Sequence, residues 1–406
     1  MTRSILESSA ARRRTIVLAL GGLMALGPFT MDLYLPAFPV VQQELRTSQA
    51  AVQLTLTATA VGMGVGQLVA GPLSDLVGRR RPLLFAAVLH VLSSIAVAAA
   101  PTVVAVSAAR FGQGVGAAAG GVVAVAVIRD LYGGQRLVRM LANVALVAGL
   151  APIVAPVLGA QLLLVISWRD MFVLLTGFGI LILALCASVV PETLSPELRR
   201  ESRAAGARAH VGAVFRDRTF VGAAICGSMV FTSIVTYISA SPFVFQTELG
   251  LNAQQFGMAY AVNAVGLFAA TQIAARLMRV IQPAWLLAFA VAALGLSGCA
   301  LAALQLTHAG LLPVAVASFA LVALTGVANP SLNVLTLENH PRRAGTAAAV
   351  TGFANSIVGG LVSPLPGLLG GASAGSLGTV VIAAMIVASA AVWLVIRPWT
   401  VPRLTD

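Results

Sequence analysis

The chain predicts an all-α polytopic membrane protein, twelve transmembrane helices arranged as two six-helix bundles. Three observations carry that prediction. Of 406 residues, 59% are hydrophobic and only 9% charged, with a mean hydropathy of +0.95. A soluble domain carries roughly 25% charged residues, so this chain cannot cover itself with polar surface and its solvent is lipid. Apolar runs long enough to span a bilayer, about 20 residues each, recur along the whole length. The basic residues gather in alternate gaps between those runs, the pattern that orients membrane proteins.

The runs fall at 15–37, 51–74, 82–100, 102–128, 138–162, 168–190, 219–241, 253–278, 283–304, 310–334, 344–368 and 376–396. The gaps between them are short except 191–218, which is polar and rich in arginine. This loop divides the chain into an N-terminal bundle (1–190), a central loop (191–218) and a C-terminal bundle (219–406). Arg12, Arg13 and Arg14 before the first run imitate a signal peptide, but eleven further runs favour an uncleaved first span. The halves invite comparison as structural repeats. Their sequence support is slight: Arg276 and Arg279 after span 8 faintly echo the turn after span 2.

All 25 basic residues are arginine, and the formal net charge is +12. With the N-terminus in the cytoplasm, 22 arginines lie inside and only Arg46 and Arg169 outside, while Arg110 falls within a span. Both termini are therefore expected to be cytoplasmic, and the charge needs no nucleic-acid partner. Cys186, Cys226 and Cys299 sit in apolar runs and are expected to be free, buried small hydrophobes.

Span 1 ends Gly27-Pro-Phe-Thr-Met-Asp32-Leu-Tyr34-Leu-Pro36. Asp32 is the one acid placed deep in the hydrocarbon, roughly 25 Å from the cytoplasmic edge at 1.5 Å per residue. An intramembrane carboxylate is costly unless paired, hydrated or protonated. One that loads and releases a proton can couple transport to a gradient. The competing reading is a structural acid satisfied by a hydroxyl or a helix end.

The turn after span 2 reads Gly71-Pro-Leu-Ser-Asp75-Leu-Val-Gly78-Arg79-Arg80-Arg81. Gly71 allows close helix approach. Asp75 can pair with Arg79 four residues on, or face the positive N-terminal end of span 11 near Thr346 and latch the halves together. A topology signal with solvated charges is the plainer alternative.

Span 4 carries Arg110-Phe-Gly-Gln113-Gly-Val-Gly116. Arg110 lies on the order of 12 Å from the outer edge, at a depth not far from that of Asp32, so the two are candidates for pairing or relay. A structural pair locking the first bundle explains them equally. Gly112, Gly114 and Gly116 favour close helix packing, because a phosphate loop needs a preceding strand. Span 5 reads Gly149-Leu-Ala-Pro152-Ile-Val-Ala-Pro156-Val-Leu-Gly159. Two prolines four apart each remove a helix hydrogen bond and bend the helix. Its small residues suit tight packing, with span 8 as the expected neighbour.

Candidate cavity-lining residues are Tyr34, Gln67, Gln113, Phe231, Tyr237, Tyr260, Asn263 and Gln272. Each alone is as readily an interhelical bond. His90 reads as a packed neutral histidine; His210, His308 and His340 fall in or near loops. Gly371-Ala-Ser373-Ala-Gly375 matches a hydrolase pattern but lacks the strand-to-helix context. No metal-ligand cluster or cofactor motif occurs, and an enzyme is not expected.

Together these segments resemble the major facilitator superfamily over nearly the whole chain. The 71–81 turn and Arg110-Phe-Gly-Gln-Gly are similar to signatures of its twelve-span drug exporters, and Ala151-Pro152 to Gly159 looks like a degenerate antiporter motif with Ala-Pro for the usual Gly-Pro. Met31-Asp32-Leu-Tyr34-Leu-Pro36, Ser241-Pro-Phe-Val244 and Gly345-Thr-Ala347 resemble the bicyclomycin/chloramphenicol resistance branch, and Trp168-Arg169 with Pro191-Glu192-Thr193-Leu194 flank span 6 as in many relatives. The resemblance implies a major facilitator fold around a central cavity and proton-coupled efflux of small drug-like molecules from the inner (plasma) membrane. In that scheme Asp32 and Arg110 serve proton coupling. Gly71, Asp75, Gly78, Arg79 and Arg80 form the cytoplasmic gate. Pro152, Pro156 and Gly159 make the antiporter kink, and Tyr34, Gln113, Phe231, Tyr237, Tyr260 and Asn263 line the cavity. The implied partners are a small-molecule substrate, protons and the lipid bilayer, with no cofactor beyond the proton gradient and the chain a monomer. Met24 stands where some multidrug relatives carry a second acid, which favours neutral, zwitterionic or monocationic cargo. An importer or facilitator of a small metabolite fits the same fold; a receptor or enzyme on this scaffold would need features the sequence lacks.

Overall fold

The computed structural model describes residues 10–197, 199–200, 216–337 and 344–401, and all regular structure among them is helical. His210, His340, Arg342 and Arg343 lie outside the described residues. Twelve long helices follow in order: α1 (Ala10–Asp32), α2 (Gln49–Val77), α3 (Arg80–Ala99), α4 (Val103–Leu131), α5 (Gly134–Leu162), α6 (Trp168–Val189), α7 (Arg218–Pro242), α8 (Ala253–Leu277), α9 (Pro283–Leu306), α10 (Leu311–Leu337), α11 (Ala344–Val362) and α12 (Ala374–Ala390). Among the described residues, twelve helices are long and apolar enough to cross a membrane. α2, α4 and α5 each run 29 residues. At 1.5 Å per residue this exceeds a hydrocarbon core of about 30 Å, so their ends reach the polar layers.

The helix starts follow side-chain chemistry. Thr102 accepts from the Ala105 N–H at the head of α4. Ser167 with Asp170, and Asn252 with Gln255, form reciprocal caps on α6 and α8. Each satisfies backbone donors that a helix start leaves open. Ser373, the centre of the hydrolase-like pattern, is the N-cap of α12 and accepts from the Ser376 N–H at 3.1 Å, which accounts for that serine as a cap.

The chain divides into two compact units. The first is Met1–Tyr34 with Ala58–Ala207; the second is Leu35–Thr57 with Arg208–Asp406. Within the first, α1 packs on α4, α5 and α6, α3 packs on α4 and α6, and α4 meets α5. Within the second, α7 packs on α10, α11 and α12, α9 packs on α10 and α12, and α10 meets α11. Every pair recurs with the helix number raised by six. The structural repeat that the sequence barely hints at is therefore present in the packing, since apolar helix faces specify neighbours without keeping residue identity.

Span 1 does not stop where its hydropathy suggests. After Asp32 the chain makes a tight turn, a 3₁₀ segment (Leu35–Ala37) and a short helix (Phe38–Glu44), so the membrane-length stretch is Thr15–Glu44. Pro36 causes the break: it has no N–H for the Asp32 carbonyl. Pro152 and Pro156 lie within the continuous run of α5.

Two expectations need correction. Gly71 is not the point of close approach; a Cβ there would meet only Val122 Cγ1 at 4.0 Å. The tight crossing belongs to Gly62 and Gly114, where α2 and α4 press backbone to backbone and a side chain would meet the Phe111 and Thr59 carbonyls. In the α5 motif, Gly159 seats against the Leu33 carbonyl just after α1. Cys186 and Cys226 are buried, but Cys299 is exposed on α9. An apolar run says that a helix is in lipid, not which of its faces is covered.

Candidate functional site

In the first unit the functional chemistry gathers at the end of α1. Asp32 is the last residue of that helix and only 4% exposed. A helix end leaves carbonyls without partners and attracts cations. Arg110, fully buried on α4, answers this: its Nη1 donates to the Thr30 carbonyl at 2.6 Å and to Gln113 Oε1 at 2.9 Å. The guanidinium lies over the Tyr34 ring at 5.0 Å and the Phe172 ring at 5.6 Å, close enough for cation–π attraction. The Asp32 carboxylate acts on it as well. Its Nε and Nη2 have no hydrogen-bond partner. A buried guanidinium with donors in reserve is costly unless another group uses them.

The structure thus brings four expected residues together: Asp32, Arg110, Tyr34 and Gln113. Gln113 passes the contact on, donating to Ser94 Oγ at 2.8 Å. Tyr34 is fully buried, edge-on to Phe172 and tilted against Trp168. The α5 motif joins the same site through Gly159 on Leu33, directly after Asp32. Sequence reasoning missed Thr30 and Phe172. A hydroxyl two residues before a buried acid was the available signal for Thr30; Phe172 is one apolar residue among many.

The turn between α2 and α3 forms a second cluster. Gly78 takes φ +100°, a conformation disfavoured for residues with a side chain, and a Cβ there would strike Glu192. Arg79 pairs with Asp75, as its spacing suggests, and with Asp130 of α4 at 3.1 Å, and donates to Ser74 Oγ at 2.7 Å. Glu192 accepts from the Arg79 N–H at 2.8 Å and pairs with Arg199 at 3.3 Å. Thr193 donates to Asp130 at 2.7 Å. Arg80 bonds the Ala187 carbonyl at 2.7 Å. The turn is locked to α4 and to the segment after α6. Asp130 was not singled out from the sequence, and Glu192 was noted only within the segment flanking span 6, although acids in an arginine-rich region are natural partners. The Thr346 side chain, expected near Asp75, lies outside the described residues.

In the second unit Tyr237 and Asn263 meet across α7 and α8, the amide donating to the phenol oxygen at 2.6 Å. Tyr260 stacks on Tyr237 with centroids 5.9 Å apart, and Phe256 packs edge-on to Tyr260. Phe231 stands apart, half-buried against Gly359 of α11. Gln67 is half-buried and Gln272 exposed. Gln53 is held in this unit too, donating to the Ser239 carbonyl at 3.2 Å and accepting from the Gly367 N–H at 3.1 Å.

Comparison with known proteins bears directly on this arrangement. The family model of the Major Facilitator Superfamily matches residues 18–364. The chain is 34% identical to "Uncharacterized MFS-type transporter YdgK" of Bacillus subtilis (strain 168), over 88% of this chain and 89% of that one. It is 30% identical to "Bicyclomycin resistance protein homolog" of Haemophilus influenzae, over 86% and 88%. Among solved structures, a D-xylose-proton symporter superposes with a TM-score of 0.74 at 17% identity, covering 93% of this chain and 97% of that one, a likeness of fold. With twelve membrane-length helices, a repeated six-helix packing and the family match along most of its length, the chain is a multi-pass membrane transporter and belongs to the Major Facilitator Superfamily.

Proposed function

We propose that this transporter is a proton-coupled exporter of small drug-like molecules, of the kind that confers resistance to bicyclomycin- or chloramphenicol-type antibiotics. The observation that carries the reading is the buried Asp32 at the broken end of α1, with the Arg110 guanidinium seated on the same helix end. A carboxyl in that position changes charge at a cost that the Arg110 charge offsets. Substrate binding displaces the Asp32 proton, a change of access follows, and a proton from outside reloads the group; ligand and proton bias the two states by differential affinity. The similarity to a bicyclomycin resistance protein homolog supports the cargo class. Tyr34, Gln113, Phe231, Tyr237, Tyr260 and Asn263 are the substrate-contact residues of this reading. The bacterial inner membrane and cytoplasmic termini belong to it too, on the arginine distribution.

The test uses inverted membrane vesicles with an acid-inside proton gradient and a pH-sensitive dye. Chloramphenicol, then a panel of antibiotics and dyes, is added to wild type and Asp32→Asn. Proton release on addition, absent from the variant, is the expected outcome. Undiminished release by Asp32→Asn removes Asp32 from the mechanism. Drug protection on expression separates export from import of a metabolite, which would instead support growth on a scarce nutrient.

A further inference from the structure

His90 reads in the sequence as a packed neutral histidine, yet its surroundings are not those of a packing residue. On α3 its Nε2 meets Thr30 Oγ1 at 2.9 Å. Thr30 offers its carbonyl to Arg110 at 2.6 Å, Arg110 donates to Gln113, Gln113 donates to Ser94 Oγ, and Ser94 Oγ donates to the His90 carbonyl at 2.8 Å. The five residues close a ring of hydrogen bonds joining α1, α3 and α4, and all five are fully buried. Closed buried networks polarise one another and act as a unit.

Two glycines lie against His90. A Cβ at Gly116 of α4 would lie 2.7 Å from the His90 backbone nitrogen, and one at Gly179 of α6 would lie 3.4 Å from Nδ1. Nδ1 has no hydrogen-bond partner. The tautomer with its proton on Nε2 donates to Thr30 and leaves only a lone pair toward Gly179; the other tautomer would strand an N–H, the rarer and costlier defect. Around the imidazole α1 presents Thr30, α6 presents Gly179, and Arg110 of α4 is the charge that acts on it. The Asp32 charge acts on Arg110, and the Arg110 charge acts on His90.

We infer that His90 is a positioning residue of the Asp32–Arg110 site: its imidazole holds the Thr30 side chain, fixes the carbonyl on which Arg110 rests, and so ties the Arg110 position to the charge on Asp32. The functional consequence rests on the antiport reading above; the geometry does not.

The test is nitrogen NMR of ¹⁵N-histidine-labelled full-length protein in lipid nanodiscs, with His210, His308 and His340 replaced by Gln so that His90 alone reports. The expected spectrum is the Nε2–H tautomer, with resonances that move in Thr30→Val and again in Asp32→Asn. His90 resonances identical in all three proteins overturn the inference, as does the Nδ1–H tautomer. In the vesicle assay, His90→Leu and Thr30→Val should shift the pH of half-maximal substrate-driven proton release. His90→Gln, whose amide nitrogen can reach Thr30, and Thr30→Ser should restore it. A loss of rate at every pH with no shift, or equal loss in His90→Gln and His90→Leu, assigns His90 to structure alone and overturns the inference. If wild type releases no proton for any compound, the antiport reading fails, and the NMR response to Asp32→Asn still decides the role of His90.

Discussion

Replacing Arg110 with lysine preserves the charge and removes the geometry. Arg110 holds two acceptors with one nitrogen, at 2.6 and 2.9 Å, while its flat guanidinium lies over two rings. A lysine ammonium is a compact point charge on a different stem and cannot reproduce the plane. Losing one charge-assisted hydrogen bond costs about 1.5–3 kcal/mol. The retained charge still attracts Asp32 and the rings, so the lower part of that range applies, about 2 kcal/mol. At 1.4 kcal/mol per decade this is a fall of roughly 30-fold. The assay is substrate-driven proton release in inverted vesicles at matched protein level, with thermal unfolding of the purified protein read by size-exclusion chromatography. Arg110→Lys should lose most of its rate and unfold at a lower temperature; Arg110→Gln, which also removes the charge, should lose more. Wild-type rate and midpoint in Arg110→Lys would refute the argument, since charge alone would then suffice and the bonds to Thr30 and Gln113 would be incidental.

Gly159→Val should push α5 off the Leu33 carbonyl and lower the unfolding midpoint, by an overpacking cost of about 1–3 kcal/mol. Gly121→Ala, with nothing within 4 Å of its Cβ, should leave the midpoint unchanged or raise it. Asp130→Asn removes one of the ion pairs of Arg79 at a partly exposed site and should cost about 1 kcal/mol; the loss, measured by thermal unfolding, should shrink at high salt. Tyr237→Phe strands the Asn263 amide and should cost about 1–3 kcal/mol. Adding Asn263→Leu should recover most of that, and a double-mutant cycle measures the coupling.

Composition and hydropathy were enough to establish that the chain lives in lipid with twelve spans, because burying a charged or unbonded polar group in hydrocarbon is too costly to leave any other solution. Local spacing was enough to suggest the pairing of Asp75 with Arg79, four residues apart across a tight turn. Asp32 and Arg110 stood out for the same reason, as charges where charge is expensive. What they touch was not legible. Thr30, Gln113, Ser94 and His90 come from three helices, and which of their faces meet depends on rotations set by glycines such as Gly114 and Gly116 at the crossings. The same holds for Asp130 and Glu192, drawn to Arg79 from 51 and 113 residues away, and for Cys299, whose exposure follows from how α9 is turned. Hydrophobic patterning identifies a membrane helix from within its own segment; its neighbours and its buried hydrogen bonds are decided only when helices distant in sequence pack, because close approach depends on both surfaces at once.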